Sequence, residues 1–511
     1  MNSRLSSFEE FSFDRFRGKT VFVFISGPGY LEFPWALETA IYLKNSGASV
    51  KVIDLSKLGE LYAMRLKIFS IFLPYWSRSF LRKLMLKHNS LMENVIELEL
   101  IKHGVNYQAF FVNPIKVYLS RNSDIRSLRD LVPTKWLGID AFPISKSFFS
   151  NFEKQVVDLN FRLNIRLLNR VKCAVIESCR ISQKIFKDNP AIDAVFLANG
   201  RQPVQTAIVT SFRKHNVPVY LYESAGGYIF PDKLVKRIGY WQSNPMNSVE
   251  TIRMIAKLNY SLLSECEKSN LNEFISSIKF REQIAFKLNY LPKTTTMNSS
   301  LLTKTGRNLA FFTSSEWELS ALDMADNTSI KISHFVNQAS AVEHLISCMK
   351  AQDRLFIRVH PQDPGFRSKR ESSWKKYEVD NRVHVFDEFS LVDSYNLAKK
   401  CDLNLVWQSF IGIEISLMGK PVGILGDAIY GPNFGESWLT DPFKLTQWIS
   451  KPKLVSENDL MPYFTYLFKG GWAIRNSEVD SLKKVSVNSV FIDVPKFSWG
   501  RKYELVVRAI S

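Results

Sequence analysis

Two polar motifs in the second half of the chain stand where apolar runs end. The first is Arg358-Val359-His360-Pro361, which closes the run beginning at Leu355. Alternation along a strand puts Arg358 and His360 on one face. A guanidinium beside an imidazole suits a phosphate leaving group, because both donate hydrogen bonds to an anion. We therefore predict an anion-binding role for this motif, with a histidine that serves only the fold as the alternative.

The second motif runs from Trp407 to Pro421. An apolar run ends at Trp407, and Ser409 and Gly412 then stand at the opening of a predicted helix. Backbone N–H groups and the helix dipole favour an anion there. Ser409 can donate to a phosphate oxygen, and the carboxylate of Glu414 can accept from ribose hydroxyls. The motif is predicted to bind a nucleotide, and a helix cap followed by a solvated glutamate is the alternative.

Polar residues also follow two apolar runs in the first half of the chain. The stretch Asn199 to Arg201 follows a predicted strand, and Glu223 follows the next one. As a strand-end carboxylate beside small residues, Glu223 is a candidate general base. Arg201 can bind a carboxylate of the acceptor or the donor itself. A turn acid and a structural ion pair are the respective alternatives.

The elements that must position these residues alternate between strands and helices. Continuous apolar runs predict strands buried on both faces, each followed by a helix. These βαβ units start at Thr20 and restart at Asn308, after a polar stretch that is predicted to be a linker. The fold class is therefore α/β, with two Rossmann-like doubly wound domains facing a cleft. We predict domains over residues 1–300 and 301–511, the second with a C-terminal helical extension.

Composition narrows the class of partner. The 511 residues have a formal net charge of +18, and the five cysteines show no CxxC spacing. The charge favours anionic partners, and the cysteine usage favours a reducing compartment. No zinc-finger or RNA-recognition signature supports nucleic acid. No run of about 18 apolar residues predicts a membrane span. We expect a cytoplasmic protein without a nucleic-acid partner.

A basic, aromatic stretch from Leu61 to Leu91 lies within a predicted insertion at about residues 60–190 of the first domain. It contains no acidic residue and mixes Arg and Lys with Phe, Tyr and Trp. Interfacial segments have this composition, with apolar side chains among the headgroups and cations on anionic lipid. Peripheral contact with the inner face of the cytoplasmic membrane is one interpretation. Two helices with a buried face and a basic solvated face are the other.

The order of the C-terminal motifs resembles that in capsule polysaccharide biosynthesis proteins. Arg-x-His-Pro is followed further along by Ser-x-x-Gly-Ile-Glu and then by Gly-Lys-Pro. That group includes bacterial transferases of 3-deoxy-manno-octulosonic acid (Kdo) and is similar in pattern to bacterial sialyltransferases. The resemblance implies a GT-B fold and a CMP-activated acidic sugar. It also implies that His360, Pro361 and Ser409 contact the nucleotide phosphate and base region, with Glu414 on the ribose.

The N-terminal half resembles the same group through Asn199 to Arg201 and through Glu223. The sialyltransferase-like pattern has two adjacent acidic residues and a glycine. Here Glu223 is the single acid, and the glycine is displaced to Gly226. This departure leaves the exact donor and the catalytic base open.

The resemblance implies a glycosyltransferase that moves a sugar, Kdo or another acidic sugar, from a nucleotide donor to a surface polysaccharide or lipid-linked glycan. A CMP-sugar is favoured over a UDP- or GDP-sugar. Glu223 and His360 are the predicted catalytic residues, and no further cofactor is expected. Because no DxD or HExxH motif occurs, we predict metal-independent catalysis, in which Arg, His and helix N–H groups stabilise the leaving phosphate. A nucleotide-sugar 2-epimerase of GT-B fold and a non-catalytic polysaccharide-assembly subunit are the alternatives.

Overall fold

The computed structural model describes the following residues: 11–26, 32–56, 96–110, 135–136, 139–140, 161–200, 202–224, 237–242, 249–280, 297–314, 332–360, 373–387, 390–473, 477–479, 484–487 and 490–493. Three predictions fall outside them: the roles of Arg201 and Pro361, and the membrane contact of the stretch from Leu61 to Leu91. The described helices include none that is long and apolar enough to cross a membrane.

Seventeen strands lie in the described residues. They are β1 (Thr20–Ile25), β2 (Ser49–Asp54), β3 (Asn106–Ala109), β4 (Lys135–Trp136), β5 (Ile139–Asp140), β6 (Ala194–Ala198), β7 (Val219–Ser224), β8 (Arg237–Trp241), β9 (Asn308–Phe312), β10 (Arg354–Arg358), β11 (Val383–Phe386), β12 (Leu403–Val406), β13 (Val422–Ile424), β14 (Trp472–Ala473), β15 (Ser477–Val479), β16 (Lys484–Val487) and β17 (Val490–Asp493).

Ten α-helices are labelled in chain order. They are α1 (Glu32–Asn45), α2 (Phe161–Asp188), α3 (Pro203–Arg213), α4 (Val249–Lys257), α5 (Glu265–Phe280), α6 (Gln338–Cys348), α7 (Ser394–Lys400), α8 (Ile411–Leu417), α9 (Pro442–Ser450) and α10 (Glu457–Lys469).

The first sheet has seven strands in the order β14-β8-β7-β6-β1-β2-β3. The strands from β7 to β3 run parallel to one another. At one edge β8 is antiparallel to β7, and β14 is antiparallel to β8. The chain proceeds from β1 toward β3 on one side and from β6 toward β7 on the other. The topological switch point, where such sheets open a crevice for ligands, therefore lies between β1 and β6.

The second sheet has five parallel strands in the order β11-β10-β9-β12-β13. Its switch point lies between β9 and β12 for the same reason. The five parallel strands of the first sheet, β3-β2-β1-β6-β7, and the five of the second, β11-β10-β9-β12-β13, therefore share one order. In each sheet the first three strands along the chain lie side by side in reverse order, and the next two continue from the other side of the first strand. The predicted α/β class with two Rossmann-like units is confirmed.

Each parallel sheet is covered on both faces, as the continuous apolar runs predict. In β1, Val21, Val23 and Ile25 belong to the apolar cluster on one face. Phe22 and Phe24 belong to the cluster on the opposite face. All five side chains are buried, and this alternation fixes which polar groups reach the sheet edge.

Residues from the two halves of the sequence pack together, so the two sheets do not correspond to two separate halves of the chain. Trp241, Ile255 and Leu271 from the first half pack in one cluster with Phe356 and Ile413 of the second half. Strand β14, which follows α10, pairs with β8 of the first sheet. The boundary at residue 300 therefore stays a prediction. Helices α9 and α10 lie in the second half of the chain and are followed by strands β14–β17. The helical extension, like the boundary, stays a prediction.

Candidate functional site

Short polar side chains meet at the switch point of the second sheet. Thr313 and Ser314 follow β9, and Gln408 and Ser409 follow the neighbouring strand β12. The Oγ of Ser314 accepts the backbone N–H of Gln408 at 3.1 Å. The Oγ1 of Thr313 accepts the backbone N–H of His360 at 2.8 Å. Three strand ends, those of β9, β10 and β12, are thereby tied together at the edge where a doubly wound sheet binds ligands.

This arrangement brings two of the predicted donor residues to one place. His360 follows β10 directly and is partly exposed, and Ser409 follows β12 and is also partly exposed. The backbone carbonyl of Ser409 accepts the hydroxyl of Tyr430 at 2.5 Å. Tyr430 is buried in the apolar cluster below the site. The loop that presents Ser409 is therefore anchored to the core.

Gln338, the first residue of α6, fixes the loop after β9 in the same way. Its Nε2 donates to the carbonyl of Ser314 at 3.0 Å, and its Oε1 accepts the N–H of Ser314 at 2.7 Å. The side chain is 1% exposed. The amide thus holds both backbone groups of one residue, and this positions the Ser314 hydroxyl at the switch point.

Arg358 ends β10 as predicted, but its guanidinium is directed into the protein. The group donates to the carbonyls of Asp387 at 2.6 Å and Ser390 at 3.1 Å, and to the Oγ of Ser394 at 3.4 Å. It is 2% exposed. These contacts are those of an arginine that holds the segment between β11 and α7. Direct binding of the donor by Arg358 stays a prediction that this geometry does not support.

Gly412 lies in the first turn of α8, where the helix packs closely on the sheet. A Cβ at this position would stand 2.8 Å from Val406 Cγ2 and 3.2 Å from Ile424 Cδ1. A side chain would therefore push α8 away from β12 and β13. The glycine is explained by this close approach, and its predicted contact with the donor remains a prediction.

Glu414 is buried rather than presented to a ribose. Its side chain is 5% exposed, and its Oε2 accepts the hydroxyl of Tyr395 at 2.8 Å. Burial raises the pKa of this carboxyl to about 7, although the Tyr395 hydrogen bond acts in the opposite direction. The expectation of a solvent-facing carboxylate fails because α8 turns this face toward α7. The ribose contact stays a prediction without support from the side-chain position.

The raised pKa of Glu414 predicts a pH-dependent stability. A carboxyl whose pKa is higher in the folded state stabilises the fold when protonated, and this contribution is lost as pH rises from the unfolded value toward 7. The full loss is at most about 3 kcal/mol. Urea unfolding of Glu414→Gln, which stays neutral, should therefore show a gain over wild type at pH 8 that vanishes near pH 4. Parallel pH profiles for the two proteins would contradict this assignment.

In the first sheet, the structure places Asn199 and Glu223 at neighbouring strand ends. Asn199 follows β6 with a φ of 58°, Gly200 follows it with a φ of 72°, and the Asn199 N–H donates to the carbonyl of Tyr222 at 3.0 Å. Glu223 lies in β7 opposite Gly239 of β8 and is partly exposed. Burial, and to a smaller extent the charge of Glu223, raises the pKa of Tyr466. The carboxylate is therefore close to α10.

Sequence patterns missed Thr313, Ser314 and Gln338. Two polar residues after the first strand of a βαβ series were a usable signal, since such loops line the switch point. No local signal marks Gln338, because its partner is in another loop. Within the described ranges, no group of three or more His, Cys, Asp or Glu side chains is arranged to hold a metal ion.

The second sheet and its site lie within the range of residues that a protein-family model matches. The family model described as "Capsule polysaccharide biosynthesis protein" matches residues 307–466. That range includes β9–β13 and every residue of the switch point described above. The predicted resemblance is thereby confirmed over this part of the chain. No curated protein matches the chain significantly.

Solved structures give only weak likeness. The beta Kdo 2,4 transferase KpsC of Thermosulfurimonas dismutans is 13% identical, with a TM-score of 0.32, over 56% of this chain and 94% of that one. A putative UDP-N-acetylglucosamine 2-epimerase of Listeria monocytogenes is 11% identical, with a TM-score of 0.24, over 89% and 92%. Anabaena Alr3699/HepE, solved with UDP and glucose, is 11% identical, with a TM-score of 0.22, over 89% and 96%. TM-scores this low support no conclusion about activity.

Proposed function

We propose that the chain is a glycosyltransferase that binds a nucleotide-sugar donor at the switch point of the second sheet, because residues 307–466 match the model of the capsule polysaccharide biosynthesis protein family. The sugar, Kdo or another acidic sugar, would pass to a surface polysaccharide or a lipid-linked glycan. A CMP-sugar is the favoured donor. The sugar and the linkage rest on the resemblance of the motifs alone.

One observation supports the donor site above all others. The ends of β9, β10 and β12 meet through the hydrogen bonds from His360 to Thr313 and from Gln408 to Ser314. The partly exposed side chains of Ser409 and His360 lie at this sheet edge, beside the buried hydroxyls of Thr313 and Ser314, within the segment that the family model matches. Hydroxyl, imidazole and backbone N–H donors are the groups that bind phosphate oxygens.

The first sheet is the proposed acceptor side. Asn199 and Glu223 lie at adjacent strand ends of its carboxyl edge. Glu223 would remove the proton from the acceptor hydroxyl while the nucleotide phosphate leaves, and His360 would stabilise that phosphate. Catalysis without a metal and contact of the basic segment with anionic lipid complete the proposal.

A nucleotide screen tests the donor site directly. Thermal unfolding of the whole chain with CMP, UDP, GDP and TDP should show selective stabilisation by CMP, because a ligand that binds only the folded state raises its stability. The gain is about 2.7 kcal/mol when the ligand is at 100 times its Kd. Ser409→Ala should reduce the CMP shift. The exposed Ser347→Ala on α6 is the matched control and should leave the shift unchanged.

The outcomes separate the parts of the proposal. A response to another nucleotide would keep the glycosyltransferase and replace the donor. No response to any of the four would remove the nucleotide-binding function. An equal loss of the CMP shift in Ser409→Ala and Ser347→Ala would contradict the assignment of Ser409 to the donor site.

A further inference from the structure

The two switch points are built alike but differ by one charge. Just after β1, Ser26 donates its backbone N–H to Oε2 of Glu32, the first residue of α1, at 2.9 Å. Just after β9, Ser314 donates its backbone N–H to Oε1 of Gln338, the first residue of α6, at 2.7 Å. In both sheets, a serine after the first strand is held by the first side chain of the next helix.

At the first switch point this side chain is a carboxylate surrounded by donors. Besides the Ser26 N–H, the Ser26 hydroxyl lies 3.4 Å from Oε2, and Gln205 Nε2 donates to Oε1 at 2.6 Å. Gln205 is in the first turn of α3, which follows β6. The carboxylate therefore lies between the two strands that flank the switch point. Hydrogen bonds donated to a carboxyl group favour its ionised form.

The same place in other doubly wound sheets holds a ligand's phosphate, because helix N-termini attract anions. Here the N-terminus of the fourteen-residue α1 and the first turn of α3 already meet an anion supplied by the chain. Nearby Tyr222 is consistent with this negative charge. Burial raises its pKa, Glu32 raises it further, and its hydroxyl donates to the carbonyl of Phe24 at 2.9 Å.

At the second switch point the equivalent side chain is a neutral amide. Both ends of the Gln338 amide are bound to the backbone of Ser314, one as a donor and one as an acceptor. Its buried position resembles that of Glu32, with 1% and 8% exposure. An amide therefore brings no net charge to the edge where His360 and Ser409 lie.

We propose that this pair of residues decides which sheet accepts the anionic donor. Glu32 closes the first switch point to phosphate, and Gln338 leaves the second one open to it. The inference rests on the proposed function, since it assigns the donor to the second sheet. It names Glu32 and Gln338 as the residues that distinguish two otherwise similar sheets. It also implies that the first sheet binds a ligand through hydroxyl groups rather than through phosphate.

Nearly isosteric exchanges test this assignment in the full-length protein. The probe is CMP, or whichever of UDP, GDP and TDP stabilises wild type most, with Kd taken from thermal unfolding at increasing concentration. Gln338→Glu should raise Kd on the order of 30-fold, or about 2 kcal/mol, the size expected for like charges roughly 8 Å apart at an effective dielectric constant of about 20. Glu32→Gln should leave this Kd unchanged and should increase stabilisation by inorganic phosphate over wild type.

A neutral variant and a change of salt concentration distinguish the proposed electrostatic role of Gln338 from a purely structural one. Gln338→Met loses both hydrogen bonds to Ser314 without adding charge, whereas Gln338→Glu can keep the one that the Ser314 N–H donates. If charge is decisive, the Kd of Gln338→Met should still rise much less than that of Gln338→Glu. Raising the ionic strength to about 1 M should reduce the Gln338→Glu effect, because the Debye length falls to about 3 Å. Unfolding without ligand shows whether each variant is folded.

The possible results lead to distinct conclusions. Equal losses in Gln338→Glu and Gln338→Met, or a salt-independent loss, would overturn the charge assignment while the donor site stands. A Glu32→Gln variant that loses nucleotide binding as strongly as Gln338→Glu, or that gains no response to phosphate, would also overturn it. A wild-type protein that responds to no nucleotide would overturn the proposed function itself, and this inference with it.

Discussion

Replacing Glu223 by Gln is expected to lower sugar transfer by about 10²–10⁴-fold, the usual contribution of a positioned general base. The amide keeps the size of the side chain but cannot take the proton of the acceptor hydroxyl. Glu223 is partly exposed near the carboxyl end of β7, one strand away from Asn199. Its neighbour Ser224 ends the strand. The Oε2 of Glu223 is buried, although the side chain as a whole is partly exposed. The strand gives the carboxylate the rigid support that a general base needs.

Sugar transfer would be measured as release of the free nucleotide. The donor would be the sugar conjugate of whichever nucleotide stabilises the protein. Glu265→Gln, which changes an exposed carboxylate at the start of α5, is the matched control and should retain full activity. The unfolding temperature of Glu223→Gln and its nucleotide shift should match those of wild type. Undiminished transfer would remove Glu223 as the base. Loss of transfer together with loss of stability would indicate a role in the fold.

Replacing Arg358 by Met is expected to cost about 4 kcal/mol of unfolding free energy. The methionine fills part of the space but leaves the carbonyls of Asp387 and Ser390 without their donor. Hydrogen bonds to a charged group contribute roughly 1.5–3 kcal/mol each, and a buried unsatisfied carbonyl adds its own desolvation cost. The segment between β11 and α7 should loosen as a consequence.

Arg354→Met provides the matched control, because Arg354 begins the same strand and is only partly buried. Its change should cost less than about 1 kcal/mol, as for other surface charges. Urea unfolding of both variants measures the difference. An Arg358→Met protein that is as stable as wild type but fails to bind nucleotide would reinstate the direct donor contact that the Arg-x-His-Pro motif suggests.

The alternation of apolar runs was sufficient to predict most of the sheet strands. A strand buried on both faces has little choice of residue type, so Thr20–Ile25 and Asn308–Phe312 stand out locally. The antiparallel edge was not predictable in the same way. Strand β14 pairs with β8 from more than two hundred residues away in sequence, and a two-residue strand has no periodicity to detect.

For the candidate site, the sequence by itself determined which residues end each strand, and hence that His360 and Ser409 lie at one edge of a parallel sheet. Tertiary structure decided where each side chain points. Arg358 and Glu414 turn inward because partners from other loops and helices, Asp387 and Tyr395, bind them there. A period of two or 3.6 residues specifies a face, and it does not specify what is packed on that face.

The same distinction explains the two switch points. Gln338 meets Ser314 across 24 residues of sequence, and Gln205 meets Glu32 across 173. Local pattern predicts that a helix begins at Gln338, where the apolar periodicity starts, whereas it predicts the first helix only from Leu37 and the structure begins it at Glu32. Only folding brings those first side chains onto the ends of the central strands, because hydrogen-bond partners at a sheet edge come from chain segments that are distant in sequence.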